Sequence, residues 1–510
     1  MASNETAVAA ISKDVAALRA SFGADRTRPL KFRKRQLQFL RQMLVDHEAT
    51  LSNSLQTDMR KDPHDVYLFE IGPILYEIQL HMDYLDDWAA SRSVAVNAPC
   101  LPGQSWVVPE PLGVVLIFGT WNYPLNVTLL PLVGAISAGN CVFIRLPAEG
   151  STDATNALLA RLLAVYMDPD VVRFASGGLD VSKETLAQRY DLIFCTGSER
   201  IGKIIARAAA ETLTPVVLEL GGKSPTIVDA TVNLELAAKR IAWGAFSNAG
   251  QTCVRPDHVF VESSIGDAFV AALKVETAAL YGANAKDSRE YARLGNALHF
   301  DKIKRIVDQD AAFVVHGGST DATDRYIAPT IVNFKSNTAA FDASAAMADE
   351  IFGPVLPVVY YDSLSTVVAR IKRSPKPLAL YLFTTNKSVM DSVVQRTSSG
   401  GVCINDTMLQ IGNFNLPFGG VGASGMGRYH GKYSFDTFSH EKAVMRKSFW
   451  LDLPQRYPPF TSSAVKFVRL VMTPVPRSLL RLSWWVAVVL VLLWTAQQPK
   501  AQRALAALMS

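Results

Sequence analysis

The residue types able to do covalent chemistry gather at a few places in the 510-residue chain. Cys253 lies in AFSNAGQTCVRPD (245–257), a polar, glycine-punctuated stretch and not an apolar periodic run. A lone cysteine is commonly a small buried hydrophobe. Here Gly250, Gln251 and Thr252 just ahead of the thiol leave room for a ligand, and a thiolate nucleophile must be approachable. Glu219 closes the apolar run VVLEL immediately before Gly221-Gly222. A carboxylate there is either a paired structural charge or a base whose pKa is raised by burial. Asn122, in WNYP (121–124), follows another apolar run. It can cap a helix whose first turn holds Pro124, or present an amide N–H to an oxyanion.

FCTGSERIGK (194–203) puts a Gly-Ser turn between a strand and a helix, where backbone N–H groups at a helix N-terminus suit a pyrophosphate; an ordinary strand-helix turn is the alternative. It lacks G-x-G-x-x-G spacing. That spacing occurs at Gly420, Gly422 and Gly425, but Pro417 and a glycine-dense loop precede it. The match reads as a loop close to a ligand or to other backbone, not as a dinucleotide fingerprint.

The elements that must position these groups follow from periodicity. Residues 1–90 repeat apolar positions at three and four, as in Val8, Ile11, Val15 and Leu18, and predict helices. Residues 91–110 turn β-branched and Pro-rich, predicting strands that leave the body. From 112 to 228, GVVLIFG (113–119), CVFI (141–144), DLIFCTG (191–197) and PVVLELGG (215–222) read as buried strands. LLPLVGAISAG (129–139) and ERIGKIIARAAA (199–210) read as helices between them. This is the βαβ rhythm of a parallel sheet covered on both faces. A second alternating region runs from about 223 to 415, with strands near 226–229, 258–263 and 354–362.

A chain of this length exceeds a single core, which stops growing near ~250–300 residues, so two packed domains with additions are expected. With 49% apolar and 19% charged residues it is neither disordered, collagen-like nor coiled coil. The five cysteines show no C-x-x-C pair, and the histidines show neither H-E-x-x-H nor metal-ligand spacing, so neither a disulfide framework nor a metal is expected. The N-terminus carries no secretory signal. The net charge of +5 is unevenly placed: residues 451–510 hold seven Lys/Arg against Asp452, leaving 44 basic and 45 acidic residues in the body. A near-neutral body argues against nucleic acid.

Taken together, PLGVVLIFGTWNYP, FCTGSERIGK, LELGGKSP, GQTC, DEIFGPVLP (349–357) and PFGGVGASGMG resemble the NAD(P)-dependent aldehyde dehydrogenases, in that family's order and over about residues 10–450. RYHGKYSFDTFSHEKAV (428–444) resembles the class-3 branch, and the tail resembles the membrane-bound fatty aldehyde dehydrogenases. The resemblance implies an α/β aldehyde dehydrogenase-like fold with two parallel-sheet domains, a small β bridging element and a C-terminal membrane helix. The implied division is a cofactor domain over 1–220 with bridging strands near 91–110, a catalytic domain over 221–420, a return and bridging segment over 421–460, and an anchor over 461–510. It further implies Cys253 as nucleophile, Asn122 with the Cys253 backbone N–H as oxyanion donors, and Glu219 as general base. For the cofactor, Gly197, Ser198, Glu199, Arg200, Ile201 and Gly202 would hold the pyrophosphate, Glu350 would bond the nicotinamide ribose, and Phe352 would flank its ring. A homodimer through the strands near 91–110 and the segment near 430–450 is implied by the same likeness, as is a place on the endoplasmic reticulum.

One stretch departs from the family. Where its members usually carry K-P-S-E near the adenosine ribose, this chain reads Arg145-Leu146-Pro147-Ala148-Glu149. A guanidinium beside the ribose would favour a 2′-phosphate, so NADP is expected to be accepted as well as NAD.

Between Arg481 and Lys500 lie 18 residues without charge. At ~1.5 Å per residue they span about 27 Å, just short of a ~30 Å hydrocarbon core. Trp484, Trp485 and Trp494 stand where interfacial anchors belong, and Arg477 and Arg481 carry cytosolic positive charge. Residues 466–482 would rest on the membrane surface with basic side chains toward head groups. A buried C-terminal helix is the alternative, but little chain remains to cover it. A membrane anchor concentrates lipophilic substrate around the enzyme, each buried CH₂ contributing ~0.8 kcal/mol, so medium- and long-chain aldehydes are expected. Competing activities are an acylating dehydrogenase that passes the thioester to coenzyme A, and a membrane-tethered thiol hydrolase that would need an imidazole partner.

Overall fold

The computed structural model describes residues 2–449, 452–474 and 476. Four long helices, Ala2–Gly23, Leu30–Asp46, Glu48–Met59 and Gly72–Ala89, with the short helix Pro63–Val66 and the π-turn Tyr67–Ile71 before the last of them, precede the first sheet. The five strands Val114–Phe118, Cys141–Arg145, Val172–Ala175, Leu192–Thr196 and Val216–Glu219 are parallel neighbours, and the two-residue strand Gly425–Met426 adds antiparallel at the Val216–Glu219 edge.

Side chains alternate across this sheet. Val115, Ile117, Val142, Ile144 and Phe194 enter a core built with the helices Leu30–Asp46, Gly72–Ala89 and Asn126–Ala138. Val114, Leu116, Phe143, Ile193 and Cys195 enter another with Ile11, Val15, Leu18 and Ile205. Because both faces are covered, strands with a strict period of two read as continuous apolar runs.

In chain order the parallel strands lie 5-4-1-2-3 across the sheet. The order reverses between Val114–Phe118 and Leu192–Thr196. At such a switch point the connections leave toward opposite faces and open a crevice beyond the carboxyl ends of the strands. The segments that leave those two ends are Gly119–Asn122 and Gly197–Ser198, the two expected to carry chemistry.

The second sheet has seven strands in the order Val314–His316, Thr330–Asn333, Val355–Tyr361, His258–Glu262, Pro225–Val228, Ala379–Phe383 and Gly401–Ile404, all parallel except the first pair. Its core runs from Ile227 to Met408. Cys253 and Glu350 each precede a strand of this sheet, so they sit at its amino end, opposite the carboxyl end of the first. The α/β fold with parallel sheets stands as expected.

Residues 91–108, with the described residues from 442 to 476, form a separate compact unit. In its three-stranded sheet Arg92–Val94 pairs antiparallel with Gly103–Pro111, which neighbours Ser439–Lys447. Lys447 Nζ donates to the carbonyls of Cys100 and Leu101 at 3.2 and 3.0 Å. Helix Ser462–Met472 starts at a Thr461 cap and exposes Val465, Phe467, Val468 and Leu470 beside Lys466 and Arg469. Among the described residues no helix is long and apolar enough to cross a membrane. The expected spanning segment, 482–496, lies outside the described residues.

Candidate active site

A cleft of about 1500 Å³ is lined by Asn122, Glu219, Cys253, Gly197, Ser198, Glu199, Arg200, Ile201, Glu350 and Phe352. Ten of the eleven residues singled out from the sequence thus line one space. The eleventh, Gly202, lies on the buried side of helix Glu199–Ala210, where a Cβ would come within 2.9 Å of the Leu220 side chain. Its lack of a side chain lets the helix pack against the sheet.

That helix opens where Ser198 leaves the sheet, and the Ser198 hydroxyl accepts from Ile201 N at 3.4 Å. Its remaining first-turn N–H groups face a space suited to an anion. Glu350 stands across the cleft against Gly221, where a Cβ would lie 2.2 Å from its carboxylate. Burial, assisted by the Asp257 charge, raises its pKa to about 8. A buried carboxyl that is mostly neutral can both give and accept a hydrogen bond, which suits a ribose diol. The Glu350 loop is pinned from outside: Lys302 Nζ donates to the Glu350 carbonyl at 2.8 Å, His299 Nε2 meets the Phe352 carbonyl at 2.6 Å, and Ile351 N donates to Asp257 at 3.0 Å. Phe352 itself is left-handed, at φ 55°. His299 and Lys302 escaped the sequence reading. Their only signal is an i, i+3 polar pair on an amphipathic helix.

Cys253 is placed by an irregular turn. Asn248, Ala249 and Gly250 all have positive φ, at 53°, 50° and 71°. The sequence reading left space for a ligand at Gly250. The structure fills it with backbone, since a Cβ there would be 2.3 Å from the Gly353 carbonyl oxygen. Gln251 is equally structural. Buried, it donates to the carbonyls of Asn248 and Arg293 and accepts from Gly295 N.

The Cys253 thiol and the Glu219 carboxyl line the same cleft, near enough that each acts on the other's ionisation. Among the described residues no hydrogen bond is formed to either Glu219 oxygen and no cation pairs with it. Burial therefore dominates and raises its pKa to about 7, with the thiol and the Thr196 hydroxyl pulling the other way. Burial, with the nearby Glu219 charge, pushes the thiol upward as well. The glycine-rich loop meets Glu219 as backbone and not as a phosphate cradle. Gly425 pairs with Glu219, and Leu220 N donates to the Ser424 carbonyl at 3.0 Å.

Asn122 does not cap the following helix. Helix Asn126–Ala138 begins four residues later, and its end is satisfied by the Glu70 carboxylate, which accepts from Leu125 N and Asn126 N at 3.0 Å each. Freed from capping, Asn122 Nδ2 reaches across to the Gln251 carbonyl at 3.1 Å, two residues from Cys253. Its second N–H remains for the cleft.

Arg145 does not stand beside the adenosine ribose site as a free cation, contrary to the expectation from its sequence position. It is fully buried, donating to the carbonyls of Gly177 and Gly178 and to Ser182 Oγ. With the guanidinium spent on the wall of the cleft, it has no face for a 2′-phosphate. The cations that do line the cleft are Arg200, Lys183, Lys203, Lys223, Lys302, Arg370 and Lys376.

Residues 2–444 match the Aldehyde dehydrogenase family. The chain belongs to the aldehyde dehydrogenases. It is 44% identical over 451 residues to the dimeric, NADP-preferring aldehyde dehydrogenase of Canis lupus familiaris, covering 88% of this chain and 98% of that one. It is 43% identical to aldehyde dehydrogenase family 3 member A2 of Rattus norvegicus, covering 90% and 93%. The substrate-bound Staphylococcus aureus AldH superposes with a TM-score of 0.87 at 38% identity, over 91% of this chain and 99% of that one. This aldehyde dehydrogenase therefore brings together, at one switch-point crevice, a thiol, a carboxyl with a pKa of about 7, an amide donor and an open helix N-terminus.

Proposed function

We propose that this enzyme oxidises lipophilic, medium- to long-chain aldehydes to carboxylic acids, using NAD or NADP, through a Cys253 thioester. The observation that carries the reading is the convergence of Cys253, Glu219 and Asn122 at one end of a cleft whose other features suit a dinucleotide. Ser198 and the helix behind it would hold the pyrophosphate, and Glu350 the ribose beside the nicotinamide. The cofactor, when bound, accepts the hydride.

The chain's own residues do the rest. Glu219, the acceptor facing the thiol, takes the Cys253 proton, and the thiolate adds to the aldehyde carbon. Asn122 Nδ2–H and the Cys253 backbone N–H hold the resulting oxyanion, and loss of hydride from the same carbon leaves a thioester. Glu219 then removes a proton from water as it attacks the thioester carbon; the acid departs and the thiol is restored. A carboxyl with pKa about 7 suits the removal of a proton from water near neutral pH.

Lipophilic substrate is supported by the flank beside Cys253. Tyr123, whose hydroxyl meets Thr252 Oγ1 at 2.6 Å, lies 6.0 Å from the Phe69 ring, which stacks on Trp243 at 5.8 Å. Glu219 argues against transfer to coenzyme A, which needs no water-activating base. The two imidazoles that line the cleft are engaged elsewhere, His258 Nδ1 with Asp257 at 3.3 Å and His299 Nε2 with the Phe352 carbonyl at 2.6 Å, which argues against a thiol hydrolase.

A C-terminal membrane anchor is part of this proposal, supported by the uncharged 482–499 segment and the basic residues before it. So is a homodimer, supported by the largely exposed strands Arg92–Val94 and Ser439–Lys447 and by the dimeric relative.

The test is turnover of aldehydes of increasing chain length with NAD and with NADP, alongside Cys253→Ser. Efficiency should rise with chain length, and the variant should lose oxidation while still binding cofactor. Oxidation surviving in Cys253→Ser would refute the nucleophile.

A further inference from the structure

Two buried charges, Lys61 and Glu70, have no part in the chemistry above. They pair at 2.7 Å with exposures of 3% and 0%. Each is delivered by an irregularity of the backbone. Arg60, left-handed at φ 55°, ends helix Glu48–Met59 and turns Lys61 inward. Glu70 sits in a π-turn, Tyr67–Ile71, between two helical segments. Insertions of that kind cost helix regularity and tend to persist where a side chain must be aimed.

Lys61 Nζ donates, besides Glu70, to the main-chain oxygen of Asn122 at 2.8 Å, and lies 4.3 Å from the Tyr123 ring centroid. The same Asn122 oxygen accepts from Asn248 Nδ2 at 3.1 Å. Glu70 meanwhile fixes Leu125 N and Asn126 N. The short segment 122–126 is therefore gripped at both ends from behind, while its front reaches the Cys253 turn through Asn122 Nδ2 and the Tyr123 hydroxyl. A buried ion pair is poor evidence for a stabilising role, since apolar residues of similar volume commonly do as well. What an apolar pair cannot supply is the hydrogen bond to the Asn122 oxygen.

We propose that the Lys61–Glu70 pair is a positioning device for the oxyanion site: it holds Asn122 by its main-chain oxygen so that the side-chain amide stays aimed at the carbonyl adduct on Cys253. The inference rests on the reading of Asn122 as an oxyanion donor.

A mutant cycle tests it on the full-length enzyme. Asn122→Ala should lower kcat/KM by about 10²–10³-fold. The pair variant Lys61→Met with Glu70→Gln removes both charges, so no lone charge is left buried, and it should lower kcat/KM by about 10–10²-fold through misaim alone. Adding the pair variant to Asn122→Ala should cost nothing further. Alkylation of Cys253 by iodoacetamide, which forms no oxyanion, and cofactor binding by fluorescence titration should stay unchanged throughout.

Losses that multiply in the triple variant, or an unimpaired pair variant beside a crippled Asn122→Ala, would overturn the proposal. Should the pair variant not fold, Lys61→Arg keeps the charge but misplaces the donor. It must show the same non-additivity with Asn122→Ala, and multiplying losses there count against the proposal equally. Asn122→Ala with undiminished kcat/KM would instead sink the oxyanion reading itself, so the two failures are distinguishable.

Discussion

Burial of Glu219 costs stability, and the proposed mechanism uses the base that results. Its pKa, raised from 4.5 to about 7, means that the folded protein disfavours the charged form while the unfolded chain does not. The stability is full below about pH 4.5 and is lost as pH rises to about 7. Replacement by the neutral isostere in Glu219→Gln should leave stability unchanged near pH 4 and raise it by about 3 kcal/mol at pH 8, read by urea denaturation. A loss of stability at pH 8 would mean that a partner holds the carboxylate. Activity should move the other way. Thioester hydrolysis should climb through about pH 7 as the base form appears, and Glu219→Gln should flatten that profile and also slow the single-turnover burst of reduced cofactor, because the same carboxylate takes the thiol proton. At this scale the sequence left two readings open for Glu219 and two for Asn122. Burial without a cation settles Glu219 as unpaired. Occupation of the helix end by Glu70, distant in sequence, removes the capping reading for Asn122. Both decisions needed neighbours that no local pattern announces.

Helix Glu199–Ala210 was legible to the residue, because a Gly-Ser turn starts it and an apolar stripe continues it. Its depth against the sheet was not. Gly202, read as a cofactor contact, instead lets the helix come within van der Waals reach of Leu220, next to Glu219. Gly202→Val should therefore push the helix end away from the cleft. We expect destabilisation of about 1–3 kcal/mol from overpacking. We also expect the cofactor KM to rise about tenfold, the equivalent of 1.4 kcal/mol, with less change in the KM for aldehyde. Unchanged cofactor binding would show that the helix end does not set that site. Four of the five parallel strands of the first sheet were legible as apolar runs, the short Val172–Ala175 being missed, yet the runs could not say which face each side chain takes. The two cores divide Val114 from Val115 and Phe143 from Ile144, a division that exists only once helices cover both sides.

For the whole molecule, the charge distribution makes its own forecast. The basic, apolar tail is proposed to hold a near-neutral enzyme at a membrane. Deletion of 461–510 should move the protein from the membrane pellet to the supernatant, while turnover of short aldehydes changes less than about threefold. Loss of short-aldehyde turnover in a folded truncation would mean that the tail serves the active site directly. Sequence alone determined that this is an α/β dehydrogenase of its family, which residues are candidates for the chemistry, and where the charge lies, because ordered motifs, periodicity and composition are local and additive properties of the chain. Only the tertiary structure decided that Gly250 makes room for backbone, that Arg145 is a buried strut, and that Lys61 and Glu70 stand behind Asn122. Those facts concern which distant groups fill the space around a side chain, and desolvation and hydrogen-bond competition act through space.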